Sequence, residues 1–192
     1  MFNGIIKNTG RIKKIHKYKN YFNIEIKTKM KFTKNEIGSS IACSGTCLTL
    51  EKFSKKNIKF YLSKETLQKT NFRYLKKDDI INLEKSLKYG TRVSGHFVLG
   101  HVDTISQIKK ILLIGKSWMV DFSIPSKYKK YLVYKGSIAI NGVSLTISKI
   151  LKNGFQISII PQTLKLTNLI HLKEKKFVNV EFDILSKYIK NR

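Results

Sequence analysis

The sequence is short of the residues that hold small secreted domains together, with two cysteines and two prolines in 192 residues. Two cysteines make no disulfide framework. Cys43 and Cys47 fall in a stretch that reads as one strand, where side chains four apart share a face but stand too far apart to bond. Both are expected to be reduced, as in a cytoplasmic protein. No apolar run approaches the roughly 18 to 20 residues that span a bilayer, and MFNGIIKNTG at the start lacks the charged, then greasy, pattern of a signal peptide.

Acidic residues are scarce too: 12 Asp and Glu face 38 Lys and Arg, a formal net charge of +26. Clustered cations gain affinity for phosphate by releasing counterions. Only four of these cations are arginine, however, and arginine is the better bidentate reader of phosphate and guanine. The lysines are scattered through every segment, which reads as a solvated surface, with a basic nucleic-acid-binding β-barrel as the alternative. A P-loop, a GxGxxG turn, a GxSxG elbow and paired CxxC motifs are missing as well. Of the histidines, only His96 and His101 are close in sequence, and without a convincing carboxylate partner nearby no metal is expected.

Material for a core is plentiful, since 42% of the residues are hydrophobic and 11% aromatic. Short β-branched and aromatic stretches such as YFNIEIKT (21–28), NIKFYLS (57–63), WMVDFSI (118–124) and FVNVEFDI (177–184) alternate with Gly, Asn and Asp breakers, which predicts an all-β barrel or sandwich. LEKSLKYG (83–90) reads as a connection and LSKYIKNR (185–192) as a terminal helix.

The chain also repeats itself. SIACSGTCLTL (40–50) returns as SIAINGVSLTI (137–147), 97 positions later. At the same offset ETLQKTNF (65–72) matches QTLKLTNL (162–169) and DIINLE (79–84) matches KFVNVE (176–181), while FNGII (2–6) lies against VLGHV (98–102) at an offset of 96. Four blocks in one order predict a duplicated β domain over residues 1–87 and 97–185, with a C-terminal helix over 186–192. The copies differ where chemistry would sit. Gly4-Ile5-Ile6 becomes Gly100-His101-Val102, Cys47-Leu48-Thr49 becomes Ser144-Leu145-Thr146, and Gly38 becomes Lys135. Thr49 and Thr146 are kept, as are Thr66 and Thr163, which suits a common ligand treated differently at two places. Each difference also has a plainer reading: Cys47 as a small packing residue, His101 as a structural histidine, Lys135 as one more surface lysine.

Together these blocks, with SGHFVLGHVD (94–103), YKGSIAINGVSLTI (134–147) and VNVEFD (178–183), resemble the α-chain type of riboflavin synthase from Met1 to about Asp183. The resemblance implies two six-stranded closed Greek-key barrels and a C-terminal helix, assembled as a homotrimer that associates with lumazine synthase. It implies dismutation of two molecules of 6,7-dimethyl-8-ribityllumazine, by transfer of a four-carbon unit, to riboflavin and 5-amino-6-(D-ribitylamino)uracil, without cofactor. One lumazine would sit on an N-terminal barrel and the other on the C-terminal barrel of a neighbour.

By that pattern Gly4, Ile5 and Ile6, then Cys47, Leu48 and Thr49, then Tyr61, Leu62, Ser63, Lys64, Glu65 and Thr66 line the first lumazine site. Gly100, His101 and Val102, then Ser144, Leu145 and Thr146, then Ser158, Ile159, Ile160, Pro161, Gln162 and Thr163 line the second, with Lys135 reaching across an interface. His101 would move the proton of the acidic C7 methyl, Cys47 or a water oriented by Ser144 and Thr146 would add to the acceptor ring, and Asp183 would orient Ser144. Phe2 and Ser40 match active-site positions. A lumazine or flavin carrier without turnover is the alternative within the same fold.

Overall fold

In a computed structural model, residues 1–190 are described; positions 191 and 192 of the expected terminal helix lie outside them. The first half carries β1 (Asn8–Lys17), β2 (Phe22–Thr28), β3 (Ser40–Cys43), β4 (Thr46–Thr49), β5 (Lys52–Phe53), β6 (Asn57–Leu62) and β7 (Ile80–Lys85). The second carries β8 (Thr104–Ile114), β9 (Ser117–Ser123), β10 (Ser137–Ile140), β11 (Val143–Leu151), β12 (Gly154–Ile159) and β13 (Phe177–Phe182). Six-residue helices α1 (Lys64–Lys69) and α2 (Pro161–Leu166) follow β6 and β12, and α3 (Ile184–Lys190) ends the described residues. α1 and α2 are too short to show a helical period. Ser63 caps α1 by accepting the Thr66 amide at 3.2 Å, and Pro161 starts α2 with a preset φ.

Period-two alternation fills both interiors. Ile24 and Ile26 of β2 with Ile58, Phe60 and Leu62 of β6 point into the first core, and Phe155, Ile157 and Ile159 of β12 point into the second. In the second half the ladder closes in the order β10-β11-β12-β9-β8-β13, a Greek-key barrel. The first half keeps the same order as a seven-stranded sheet, β4-β3-β7-β1-β2-β6-β5. Its end strands β4 and β5 are one run of chain interrupted at Leu50 and Glu51. In β11 the matching positions form only a shift of register between Ile147 and Lys149. The Glu51 amide still reaches the Lys59 carbonyl at 3.2 Å, so the first barrel is broken in its ladder at that bulge.

SIACSGTCLTL is a hairpin, which corrects the single-strand reading of the cysteines. Ser44 and Gly45 turn with φ of 42° and 78°, as Asn141 and Gly142 do with 46° and 77°, the conformation that two-residue hairpins require. Cys43 and Cys47 therefore lie on adjacent strands, opposite Thr46 and Ala42, and both are free thiols. LEKSLKYG is likewise not all connection, since β7 extends to Lys85.

The two turns abut at a pseudo-twofold axis: a Cβ added to Gly45 would meet the Gly142 amide at 2.6 Å. Around them runs a network of side-chain amides in matched pairs. Asn82 donates to the Asn141 carbonyl and Asn179 to the Ser44 carbonyl, both at 2.9 Å. The Asn82 side-chain oxygen accepts the Asn168 amide and that of Asn179 accepts the Asn71 amide, both at 2.7 Å. Asn82 and Asn179 are fully buried, so truncating either strands several polar groups without water. Asn179→Ala is expected to cost about 3 kcal/mol, read as a fall in Tm of roughly 6 to 12 °C. A Tm within a degree or two of the unaltered protein would refute that role.

Candidate active sites

The segments before β1 and β8 act as hooks that tie the barrels together. Phe2 and Val98, equivalent positions of the two copies, exchange backbone hydrogen bonds of 2.7 and 3.1 Å across the pseudo-twofold axis. Beyond them the hooks cross. The Gly4 carbonyl accepts the Ser144 amide at 2.8 Å, and the Gly100 carbonyl accepts the Cys47 amide at 2.8 Å. Ile6 is buried in the core of the second barrel. This regroups the expected residues: Gly4 to Ile6 belong with Ser144, and Gly100 to Val102 belong with Cys47.

Both crossings need glycine. Gly4 and Gly100 have φ of +71° and +79°, and a Cβ would come within 2.7 Å of the Ser144 and Cys47 Cβ atoms respectively. Ser40 and Thr49 pair across the β3–β4 hairpin, and Thr49 and Thr146 are exposed at matched positions beside Cys47 and Ser144. Ile5 and His101 are exposed on their hooks, and Val102 is partly buried. Tyr61 and Ser158 turn outward, Tyr61 stacking on Tyr21 at 5.1 Å, while Leu62 and Ile159 are core. Leu48 is buried and Leu145 half-buried. Ser63, Lys64, Glu65 and Thr66 cap and open α1; Ile160, Pro161, Gln162 and Thr163 do the same for α2. Lys135 is exposed in the loop before β10, its ammonium over the Tyr134 ring at 5.4 Å.

Three roles change with these positions. Phe2 has no exposed surface and packs with Ala42, Val98, Ala139 and Cys47, so it supplies packing and cannot touch a ligand here. The Asp183 carboxylate caps the start of α3 through the Leu185 amide at 3.0 Å and makes no hydrogen bond to Ser144. That place is taken by His96, whose Nδ1 lies 2.7 Å from Ser144 Oγ. His96 is 8% exposed and its Nε2 is buried with no hydrogen-bond partner among the described residues. Burial holds the imidazole below its usual pKa, opposed by the nearby Asp183 charge, so the ring is neutral and able to accept a proton. The sequence offered SGHFVLGH with two histidines and nothing to separate them. Only the crossing of the hooks decides that His96 reaches Ser144 while His101 faces solvent.

The result is a pair of unlike half-sites on one scaffold. One has Ser144 with a buried neutral histidine. The other has a half-buried thiol, Cys47, with no histidine bonded to it among the described residues.

A family model described as the lumazine binding domain matches this chain twice, over residues 3–86 and 99–183. The riboflavin synthase of Buchnera aphidicola subsp. Schizaphis graminum is 37% identical over 191 residues, covering 98% of this chain and 92% of its own length. That of Escherichia coli K12 is 34% identical over 186 residues, covering 95% and 87%. Among solved structures, LumP complexed with 6,7-dimethyl-8-(1'-D-ribityl)lumazine superposes with a TM-score of 0.82 at 27% identity, covering 94% of this chain and 98% of LumP. LumP complexed with riboflavin gives 0.83, also at 27%, covering 95% and 99%.

Proposed function

The chain belongs to the lumazine-binding family, among the riboflavin synthases, and on that premise we propose how it works as one. It is a transferase that dismutates two 6,7-dimethyl-8-ribityllumazines, moving a four-carbon unit from one to the other. Two similar substrates explain two similar barrels, and the carrying observation is that the barrels present unlike half-sites, Ser144 with His96 on one and Cys47 on the other.

The C7 methyl of lumazine is acidic because its carbanion delocalises into the ring, so a modest base suffices. Neutral His96 takes that proton through the Ser144 hydroxyl, and exposed His101 stands at the Cys47 half-site for the return transfer. Thr49, Thr146 and the openings of α1 and α2 offer hydroxyls and amides to the heterocycle and ribityl chain. Holding two flat rings in register supplies about 7 to 11 kcal/mol of the barrier by making their encounter intramolecular.

The half-sites of one chain would meet those of a neighbour in a homotrimer. The exposed apolar residues Leu185, Tyr188 and Ile189 of α3 suit a contact between chains. The same reading places the protein in the cytoplasm, takes the barrel units as residues 1–87 and 97–185, and extends to association with lumazine synthase. Among the described residues no helix is long and apolar enough to cross a membrane.

The likeness to ligand-bound LumP supports a second reading, a carrier. Incubation with the lumazine separates the two. Turnover gives riboflavin absorbance rising with time, one riboflavin for every two lumazines consumed. A shift in lumazine fluorescence with no riboflavin formed would establish the carrier and end the enzymatic reading.

A further inference from the structure

Two buried carboxylates hold the hooks. Glu84 of β7 accepts the amides of Asn3 and Gly4 at 2.8 and 3.0 Å, one on each oxygen. Glu181 of β13 accepts those of Leu99 and Gly100 at 2.6 and 2.9 Å in the same way. The two are equivalent positions of the duplication, paired across their ladders with Ala42 and Ala139. Glu181 is 3% exposed. Neither carboxylate makes a salt bridge among the described residues; Lys187 of α3, near Glu181, pairs instead with Asp103 at 2.6 Å.

Each clamped glycine then turns its carbonyl to the other barrel, Gly4 to Ser144 and Gly100 to Cys47. We infer that Glu84 and Glu181 are positioning residues wired crosswise, each carboxylate on one barrel setting the half-site on the other. Glu84 governs the Ser144 half-site; Glu181 governs Cys47 and the His101 that follows Gly100. This rests on the reading of function above.

The crosswise wiring gives the Cys47 half-site a dependence on pH. A carboxylate offers an acceptor to each of two amides, whereas a carboxylic acid turns its hydroxyl toward one of them and gives up that bond. Burial raises Glu181 to about 7 against its amide bonds and the Lys187 charge, with Asp103 raising it further. The β10 residue paired with it, Ala139, carries no charge. The clamp is therefore complete above neutrality and loosens as pH falls through it. Stability runs the other way. A carboxyl whose folded pKa is raised contributes stability that is full below its unfolded value, near 4.5, and is lost as pH rises through about 7.

These opposite trends separate positioning from simple structural support. Glu181→Gln and Glu84→Gln are compared with the unaltered full chain between about pH 5.5 and 8.5, reading turnover, Tm and lumazine affinity by fluorescence. For Glu181→Gln, turnover at the alkaline end is expected to fall by about tenfold to a hundredfold. That deficit should shrink toward acid pH, while any deficit in Tm shrinks toward alkaline pH. Glu84→Gln should lower turnover with the Ser144 half-site affected instead. Unchanged turnover at the alkaline end, or turnover and Tm falling together at every pH, would overturn the inference. If the unaltered chain forms no riboflavin, the functional reading fails and affinity decides the inference. Glu181→Gln must then weaken one class of lumazine site at alkaline pH only, and equal affinities would sink it.

Discussion

Replacing His96 by glutamine is expected to slow riboflavin formation by a factor of about 10² to 10⁴, with a much smaller change in KM. The side chain sits 8% exposed behind Ser144, its Nδ1 2.7 Å from the hydroxyl, and burial keeps the ring neutral. It does not face solvent itself; Ser144, half-buried, presents the hydroxyl through which the proton passes. Glutamine at this position misses the hydrogen bond. Asparagine restores a group near Nδ1 but cannot take up a proton at neutral pH, so His96→Asn should remain nearly as slow as His96→Gln. A pH profile adds a second check. The lowered pKa places protonation of His96 below the ordinary histidine range, and turnover should lose an acid limb there when the ring is removed. Wild-type rates in His96→Asn would show that His96 only orients Ser144.

Gly100→Ala should have the largest effect on stability and turnover together. The residue has a φ of +79°, and a Cβ would stand 2.7 Å from the Cys47 Cβ, 2.9 Å from the Cys47 amide and 3.0 Å from the Phe2 ring. Left-handed backbone costs an alanine about 1 to 2 kcal/mol, and overpacking a closed contact costs about 1 to 3 more. A loss of roughly 2 to 5 kcal/mol follows, with a Tm lower by about 4 to 20 °C. The displaced hook also carries His101 away from Cys47, so turnover measured well below the new Tm should still fall by about a hundredfold. Near-normal turnover in a destabilised Gly100→Ala protein would mean that the hook is scaffolding and nothing more.

The duplication was legible because its parts are local. Hairpin turns, alternating strands and the 97-residue offset are written in neighbouring residues, and β3, β6 and β7 recur at β10, β12 and β13 in that spacing. The bulge that interrupts the first ladder was not legible, because Leu50 and Glu51 resemble Ile147 and Ser148 in pattern and differ only in how the backbone pairs. The grouping of the site residues is hidden for a similar reason. Offset alignment pairs Gly4 with Gly100 and Cys47 with Ser144, but it cannot say that each hook lies on the opposite barrel. His96 was missed because its partner is 48 positions away, across that crossing. The matched position of Phe2 points to chemistry, whereas its complete burial between the barrels makes it a packing residue.

On the proposed mechanism, catalysis needs one half-site of each kind, brought together from two chains. Complementation between two disabled variants distinguishes this from reaction within one chain. His96→Gln disables the Ser144 half-site, and Thr49→Arg, at an exposed position beside Cys47, blocks the other without disturbing a core. Each variant alone should be nearly inactive. Co-assembled in equal amounts, they should regain roughly a quarter of full turnover, since that share of random contacts joins an intact half-site of each kind. A mixture no more active than its components would show that both lumazines react within a single chain.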